Sequence, residues 1–134
     1  MKILITGVEG FIGTNLAKRL LEQGHTVYGM DSYITGLRRD VNHGHPNFHF
    51  IEHDVVEPLP NTPVVDRIYH LASPASPIFY IKYPLKTMYV NSIGTQRLLE
   101  KAQTEGSRLL FASTSEVYGD PQEHPQRESY FGNV

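Results

Sequence analysis

Three glycines, Gly7, Gly10 and Gly13, stand between a short apolar run and an amphipathic stretch, and that order limits the fold more than any other feature. Ile3, Leu4 and Ile5 show no polar alternation, so Lys2 to Thr6 reads as a strand covered on both faces, as at the centre of a parallel sheet. After the glycines, Phe11, Ile12, Leu16, Ala17, Leu20 and Leu21 fall at helical spacing, with Lys18, Arg19, Glu22 and Gln23 on the wet side and Gly24 as the stop. Glycines in such a turn let backbone amides close on an anion at the helix N-terminus, where the dipole favours negative charge. They also suit an ordinary tight turn. The next segment favours the anion. Thr26 to Met30 is a second strand ending in Asp31, about twenty residues past the glycines, where a dinucleotide fold needs an acid to accept from ribose hydroxyls. The expected anion is a dinucleotide pyrophosphate. A carboxylate at Asp31 repels the extra phosphate of NADP and so favours NAD. Arg38 and Arg39 in the following loop either hold such a phosphate or form a solvated basic turn.

Bulk numbers exclude several classes. The 134 residues, 40% hydrophobic and 19% charged, suit one ordinary domain. A formal net charge of -2 offers nothing to nucleic acid or an acidic membrane surface. Without cysteine, neither disulfides nor thiolate metal sites form. No apolar run approaches the ~20 residues of a membrane span, and the chain opens on a strand rather than a signal peptide, so a cytoplasmic location is expected. There is no internal repeat or low-complexity segment.

Farther along, Phe48 to Glu52 reads as a third strand. His43, His45, His49 and His53 are divided between loop and strand without a metal-ligand spacing, so they are expected to be surface histidines and no metal is expected. Asp54 follows the third strand and either accepts from an adenine amino group or caps a turn. Glu57 to Pro63 is proline-rich and reads as an exposed connector. Val64 to Leu71 is a fourth strand, and Ala72 to Pro77 a rigid loop at its carboxyl end, where open α/β sheets bind ligands. A single helix is expected from Pro84 through Asn91 to Gly106, with Asn91 bridging backbone or water or, less commonly, serving an active site. Arg108 to Ser113 is a fifth strand, ending in Thr114, Ser115 and Glu116. Hydroxyls and a carboxylate at that position suit hydride chemistry, one hydrogen-bonding a reacting alcohol and another shuttling a proton; capping a turn is the alternative. Gln122 to Val134 has no clear period. The expected fold is α/β, a Rossmann-like doubly wound parallel sheet of about five strands in the order 3-2-1-4-5, with residues 1–134 as one NAD-binding domain.

Taken together, ITGVEGFIG, Asp31 with Thr35-Gly36, HDVVEPL, IYHLASPASP, NSIGT and STSEVYGDP make the chain resemble the extended short-chain dehydrogenase/reductases. Among these it is most similar to the UDP-glucuronate decarboxylases. The resemblance runs the length of the chain; the glycine turn and VYG are shared superfamily-wide, whereas HDVVEP, HLASPASP and STSEVYGDP in that order are narrower. It implies a cofactor, NAD, that takes hydride from carbon 4 of the glucuronate, loss of carbon dioxide from the β-keto acid, and return of the hydride. It implies cofactor contacts from Gly7, Gly10, Phe11, Ile12 and Gly13; from Asp31, Ser32, Thr35 and Gly36; and from Asp54, Val55, Leu71, Ala72, Ser73 and Ala112. Thr114 then matches the hydroxyl on the reacting sugar oxygen, and Ser115 and Glu116 the pair assisting decarboxylation and proton transfer. The Ser73 to Tyr80 loop, with Pro74, Ser76 and Tyr80, faces a UDP-sugar substrate, as does Tyr89. Two departures stand out. Where the family usually has Lys-Thr before the helix asparagine, this chain has Tyr89-Val90. The family's Tyr-x-x-x-Lys pair is absent from the 134 residues, because Tyr130 is followed by Val134 at the lysine position, and a chain without it is expected not to turn over. The remaining readings are a related dehydratase or epimerase, and a non-catalytic NAD-binding module. Family members are usually dimers packed through the helix matching Pro84 to Ala102 and the helix carrying that tyrosine. A fifth strand left as an open apolar edge adds a second route to self-association.

Overall fold

The computed structural model describes residues 1–35, 40 and 42–134. Five parallel strands lie in the order β3-β2-β1-β4-β5, as expected: β1 Lys2–Thr6, β2 Thr26–Asp31, β3 Phe48–Glu52, β4 Arg67–His70 and β5 Arg108–Phe111. The central position of β1 explains its unbroken apolar run. Ile3 and Ile5 enter one core with Ala17, Leu20 and Leu21 of helix α1 (Phe11–Glu22) and with Val27 and Phe48. Leu4 enters the opposite core with Met30, Ile68, Leu98 and Ala102. All three β1 side chains are 0% exposed, and burying each contributes about 1.5–3 kcal/mol. With cores on both faces and every strand running the same way, all five carboxyl ends meet on one edge of the sheet.

The second core is covered by a helical run. Helices α2 (Pro77–Lys82) and α3 (Pro84–Tyr89) lead into a π-helical segment, Val90–Gly94, and then into α4 (Thr95–Glu105). Val90, Gly94, Leu98 and Ala102 form its buried stripe, and Gly106 closes α4 in the left-handed conformation at φ +70. The expected single helix therefore covers the right residues but holds a π-helical turn inside it. Helix α2 corrects the expectation of loop through this region. Pro77 is its first residue, a position whose missing N–H costs nothing.

Two strands are shorter than expected. At Val64 and Val65 the ladder has not begun: the Val65 amide donates to the Glu105 carboxylate of α4 (3.1 Å), and Val64 is exposed. Strand β5 ends at Phe111, although the Ala112 amide still donates to the His70 carbonyl (3.1 Å). The connector before β4 is only partly exposed, since Leu59 packs on the second core. Beyond Tyr118 the chain turns back on itself, with the Tyr118 and Tyr130 rings stacked at 5.9 Å and the Asn133 amide donating to the Tyr118 carbonyl (2.9 Å). Among the described residues, no helix is long and apolar enough to cross a membrane.

Candidate functional site

An open crevice lies at the carboxyl ends of β1, β2 and β4. Its cavity volume is about 90 Å³, and its mouth opens to solvent. Its lining brings together Gly7, Gly10, Asp31, Ser32, Thr35, Asp54, Val55, Leu71, Ala72, Ser73 and Pro74 from the expected site, with Met30, Ile34, His53 and Val90 besides.

The glycine turn forms one wall. Gly7 leaves β1 at φ +72, and its amide donates to the Met30 carbonyl (2.8 Å). A Cβ on Gly7 would lie 2.8 Å from the Ala72 nitrogen, so only glycine allows the turn to approach β4 this closely. Gly13, inside α1, rests on the same turn: a Cβ there would overlap the Gly7 carbonyl oxygen and sit 2.7 Å from Val8 Cα. Thr14 makes the first helical hydrogen bond, to the Gly10 carbonyl (2.9 Å), which leaves the amides of Phe11, Ile12 and Gly13 in the open first turn of α1. Anions take such donors. The Phe11 and Ile12 side chains are 74% and 65% exposed, so these residues offer the turn their main chain rather than their side chains.

Asp31 stands at the tip of β2, beside the turn. Its Oδ2 accepts from the Glu9 amide (3.0 Å) and its Oδ1 from the Tyr33 amide (2.9 Å), which fixes the carboxylate and leaves a free lone pair on each oxygen. Glu9 did not stand out in the sequence. It is buried, its Oε2 accepts from the Asp40 amide (3.1 Å), and its Oε1 faces His43 Nε2 at 2.9 Å. His43 Nδ1 in turn faces Asp40 Oδ1 at 3.2 Å, and the ring packs 4.6 Å from that of Phe50. Glu9 thus ties the glycine turn to the chain after β2. The expectation of surface histidines fails here, and fails again at His53, whose buried Nε2 has no hydrogen-bond partner among the described residues. Of the four only His49 is exposed, with its ring stacked on Tyr28 at 5.0 Å. Glu9, Asp40 and His43 bring three metal-ligating atoms within 4.8 Å of one another, a grouping that the spacing did not announce. Gly36, Arg38 and Arg39 lie outside the described residues.

At the far end, Asp54 Oδ1 accepts from the Val56 amide (3.1 Å), the turn-cap geometry, while Oδ2 pairs with Lys86 Nζ on α3 at 2.9 Å. Lys86 is a second residue that sequence reasoning missed. On the β4 side, Asn91 Nδ2 donates to Ser73 Oγ (3.0 Å) and to the Thr87 carbonyl (2.9 Å), so Asn91 bridges a crevice hydroxyl to its own helix.

His70, at the end of β4, is 1% exposed. Burial lowers its pKa from the ordinary 6.5, against the opposing effect of a hydrogen bond to the Val90 carbonyl, and the ring is neutral. Because the folded value lies below the unfolded one, the unfolded chain binds more protons between the two. The His70 contribution to stability is therefore full above the ordinary value and is lost as pH falls through the folded one. Between about pH 7.5 and 5.5, the wild type is expected to lose more urea resistance than His70→Gln does. Equal losses would show that His70 does not titrate this way.

Thr114, Ser115 and Glu116 begin a 3₁₀ turn, Ser115–Tyr118, after β5, and Thr114 Oγ1 accepts from the Glu116 amide (3.2 Å), which is a cap. All three are exposed, and they do not line the crevice, nor do Ala112, Ser76, Tyr80 and Tyr89. Three strand spacings of about 4.8 Å separate β2 from β5, so Asp31 and Thr114 lie roughly 14 Å apart along the sheet edge.

The sequence model of the family described as GDP-mannose 4,6 dehydratase matches residues 4–131. UDP-glucuronic acid decarboxylase 1 of Danio rerio is 55% identical over 99% of this chain and 32% of its own length. The chain thus spans about a third of that relative. A crystal structure of UDP-galactose 4-epimerase superposes with a TM-score of 0.86 at 30% identity, covering 99% of this chain and 45% of that one. The Bordetella bronchiseptica enzyme WbmH, solved in complex with NAD+, superposes with a TM-score of 0.82 at 27% identity over 98% of this chain and 45% of its own.

Proposed function

The chain belongs to the GDP-mannose 4,6-dehydratase family of extended short-chain dehydrogenase/reductases, and from that membership we propose that residues 1–134 form the NAD-binding domain of an enzyme that decarboxylates UDP-glucuronate to UDP-xylose. The observation that carries the cofactor is the glycine turn, Gly7 and Gly10, lining one crevice with the fixed Asp31 carboxylate; Phe11, Ile12 and Gly13 do not line it, and their open amides follow Gly10 in the chain. The residues fit the group. The turn amides of Phe11, Ile12 and Gly13 would take the pyrophosphate, Asp31 the adenosine ribose, and Asp54 with Val55 the adenine. Ser73 and Ala112 would border the nicotinamide end. NAD, when bound, supplies a reversible hydride acceptor for carbon 4 of the sugar.

The chain's own groups serve the substrate. Thr114 holds the reacting sugar oxygen, Ser115 and Glu116 assist the departure of carbon dioxide and the proton transfer that follows, and the Pro74–Tyr80 segment faces the UDP-sugar. In its cap Thr114 Oγ1 accepts from the Glu116 amide, so the hydroxyl proton stays free to be donated. The test is product analysis: the complete polypeptide, given UDP-glucuronate and NAD, is expected to release carbon dioxide and form UDP-xylose. No carbon dioxide would exclude the decarboxylase. The Tyr89-Val90 pair supports a second reading, a 4,6-dehydratase or epimerase of the same superfamily, which would convert a neutral UDP-sugar instead. A non-catalytic NAD module would bind NAD and convert neither.

Self-association belongs to the same proposal. Strand β5 is paired on its β4 side only among the described residues, with Leu110 and Phe111 half-exposed, and Leu85, Met88 and Tyr89 form an exposed apolar face on α3. Light scattering at high concentration is expected to give a dimer or larger species for the 134-residue chain; a clean monomer would overturn this part.

A further inference from the structure

Behind the crevice, a chain of side-chain hydrogen bonds crosses from β1 through β4 to α4. The Ala72 amide approaches Thr6 Oγ1 (3.4 Å), Thr6 Oγ1 lies 2.8 Å from His70 Nδ1, and His70 Nε2 lies 3.2 Å from Thr95 Oγ1. Thr95 Oγ1 in turn donates to the Asn91 carbonyl (3.0 Å). With the Thr95 proton on the Asn91 carbonyl, the Thr95 oxygen accepts from His70, which places the ring hydrogen on Nε2. The neutral ring then has a bare Nδ1, and Thr6 must donate to it. The Thr6 oxygen remains free to accept from Ala72.

The far end of this chain is the π-helical segment. There the amide-to-carbonyl bonds reach five residues back rather than four, so a hydroxyl donor on the Asn91 carbonyl steadies an irregular turn. Two residues of that turn matter to the crevice. Val90 lines it, and Asn91 points Nδ2 at Ser73 Oγ. Because Ser73 accepts from Asn91, its own proton is free to be offered to a ligand.

We propose that His70 is a positioning residue: in the Nε2–H form, with Thr6 and Thr95, it locks the π-helical turn so that Asn91 sets Ser73 as a hydrogen-bond donor toward the cofactor. The inference rests on the NAD reading above. It adds that a group with no contact to the ligand governs how well the ligand is held.

The experiment compares the wild type, Thr95→Val, His70→Phe and His70→Gln. NAD affinity is measured by calorimetry on the folded fraction, and the His70 tautomer by nitrogen-15 NMR of the ring. Thr95→Val and His70→Phe, which keep the shape but break the chain, are expected to weaken NAD binding about tenfold. His70→Gln restores a donor toward Thr95 and is expected to recover most of that loss. The ring is expected to show a protonated Nε2 and a bare Nδ1. Unchanged NAD affinity in Thr95→Val and His70→Phe, with only their stability lowered, would reduce His70 to a core residue and overturn the proposal. So would an Nδ1–H ring. A wild type that binds no NAD would overturn the cofactor reading and this inference with it, whereas a wild type that binds alongside variants that bind equally removes this inference alone.

Discussion

Gly13→Ala is expected to destabilise the chain and abolish NAD binding, against the ordinary rule. In a helix interior, alanine is better than glycine by about 1 kcal/mol, so a free-standing α1 would gain from the change. Here the added methyl has nowhere to go. Its neighbours are the Gly7 carbonyl and Val8 Cα, both backbone, and neither can rotate aside as a side chain would. Helix α1 must lift away from the turn, which strips Ala17, Leu20 and Leu21 from their packing on Ile3 and Ile5. Overpacking of this kind costs about 1–3 kcal/mol or more, and against the gain of about 1 kcal/mol the expected net effect is a loss of roughly 1–2 kcal/mol. The lifted helix also withdraws the open amides from the anion site. Urea denaturation and calorimetry with NAD read the two effects separately. A variant as stable as the wild type would show that the helix is not seated on the turn as described.

The second large effect is expected at Asp31. Asp31→Asn has nearly the same shape but only one acceptor oxygen. It can serve the Glu9 amide or the Tyr33 amide, not both, and its NH₂ must then face the other N–H. It also loses the charge that a ribose diol meets. Hydrogen bonds to charged groups contribute about 1.5–3 kcal/mol, so NAD affinity is expected to fall by roughly ten- to a hundredfold. Discrimination against NADP should weaken as well, because the like-charge repulsion is gone. Calorimetric titration with both dinucleotides checks this. Equal NAD affinity in the variant would remove Asp31 from the cofactor site.

What could be read from residues alone follows the range of the interactions involved. Strand β1 was legible because burial on both faces forbids polar alternation, and the glycine turn because its three glycines and the next strand's acid are set by local geometry. The order of the strands followed from the doubly wound dinucleotide fold that the glycine turn and the acid point to. Glu9 was not legible: its partner His43 is 34 residues away, and a lone glutamate between glycines looks solvated. Asn91 and Ser73 are 18 residues apart and meet only because β4 and the π-helical turn are packed together. Lys86 was hidden for the same reason, as Asp54 lies on another element. The apolar pattern of Val64 and Val65 matched a strand, yet the Glu105 side chain takes the Val65 amide before the ladder begins. The π-helical turn itself left no trace, because five residues are too few for one helical period to be told from another.

That turn has an evolutionary corollary. It holds one residue more than a regular turn would need between Tyr89 and Thr95. Deleting any one of the five would leave an intact, ordinary α-helix, and a strand-and-helix count would register no change. The flanks would barely turn, because five residues in the wide turn sweep about the angle that four sweep in an α-helix. Lys86 would stay near Asp54, while the residues inside the turn would be re-dealt and the carbonyl that Thr95 now holds would return to the regular ladder. The surplus residue is thus a local device: a single-codon deletion would erase it, and with it the present aim of Asn91 at Ser73.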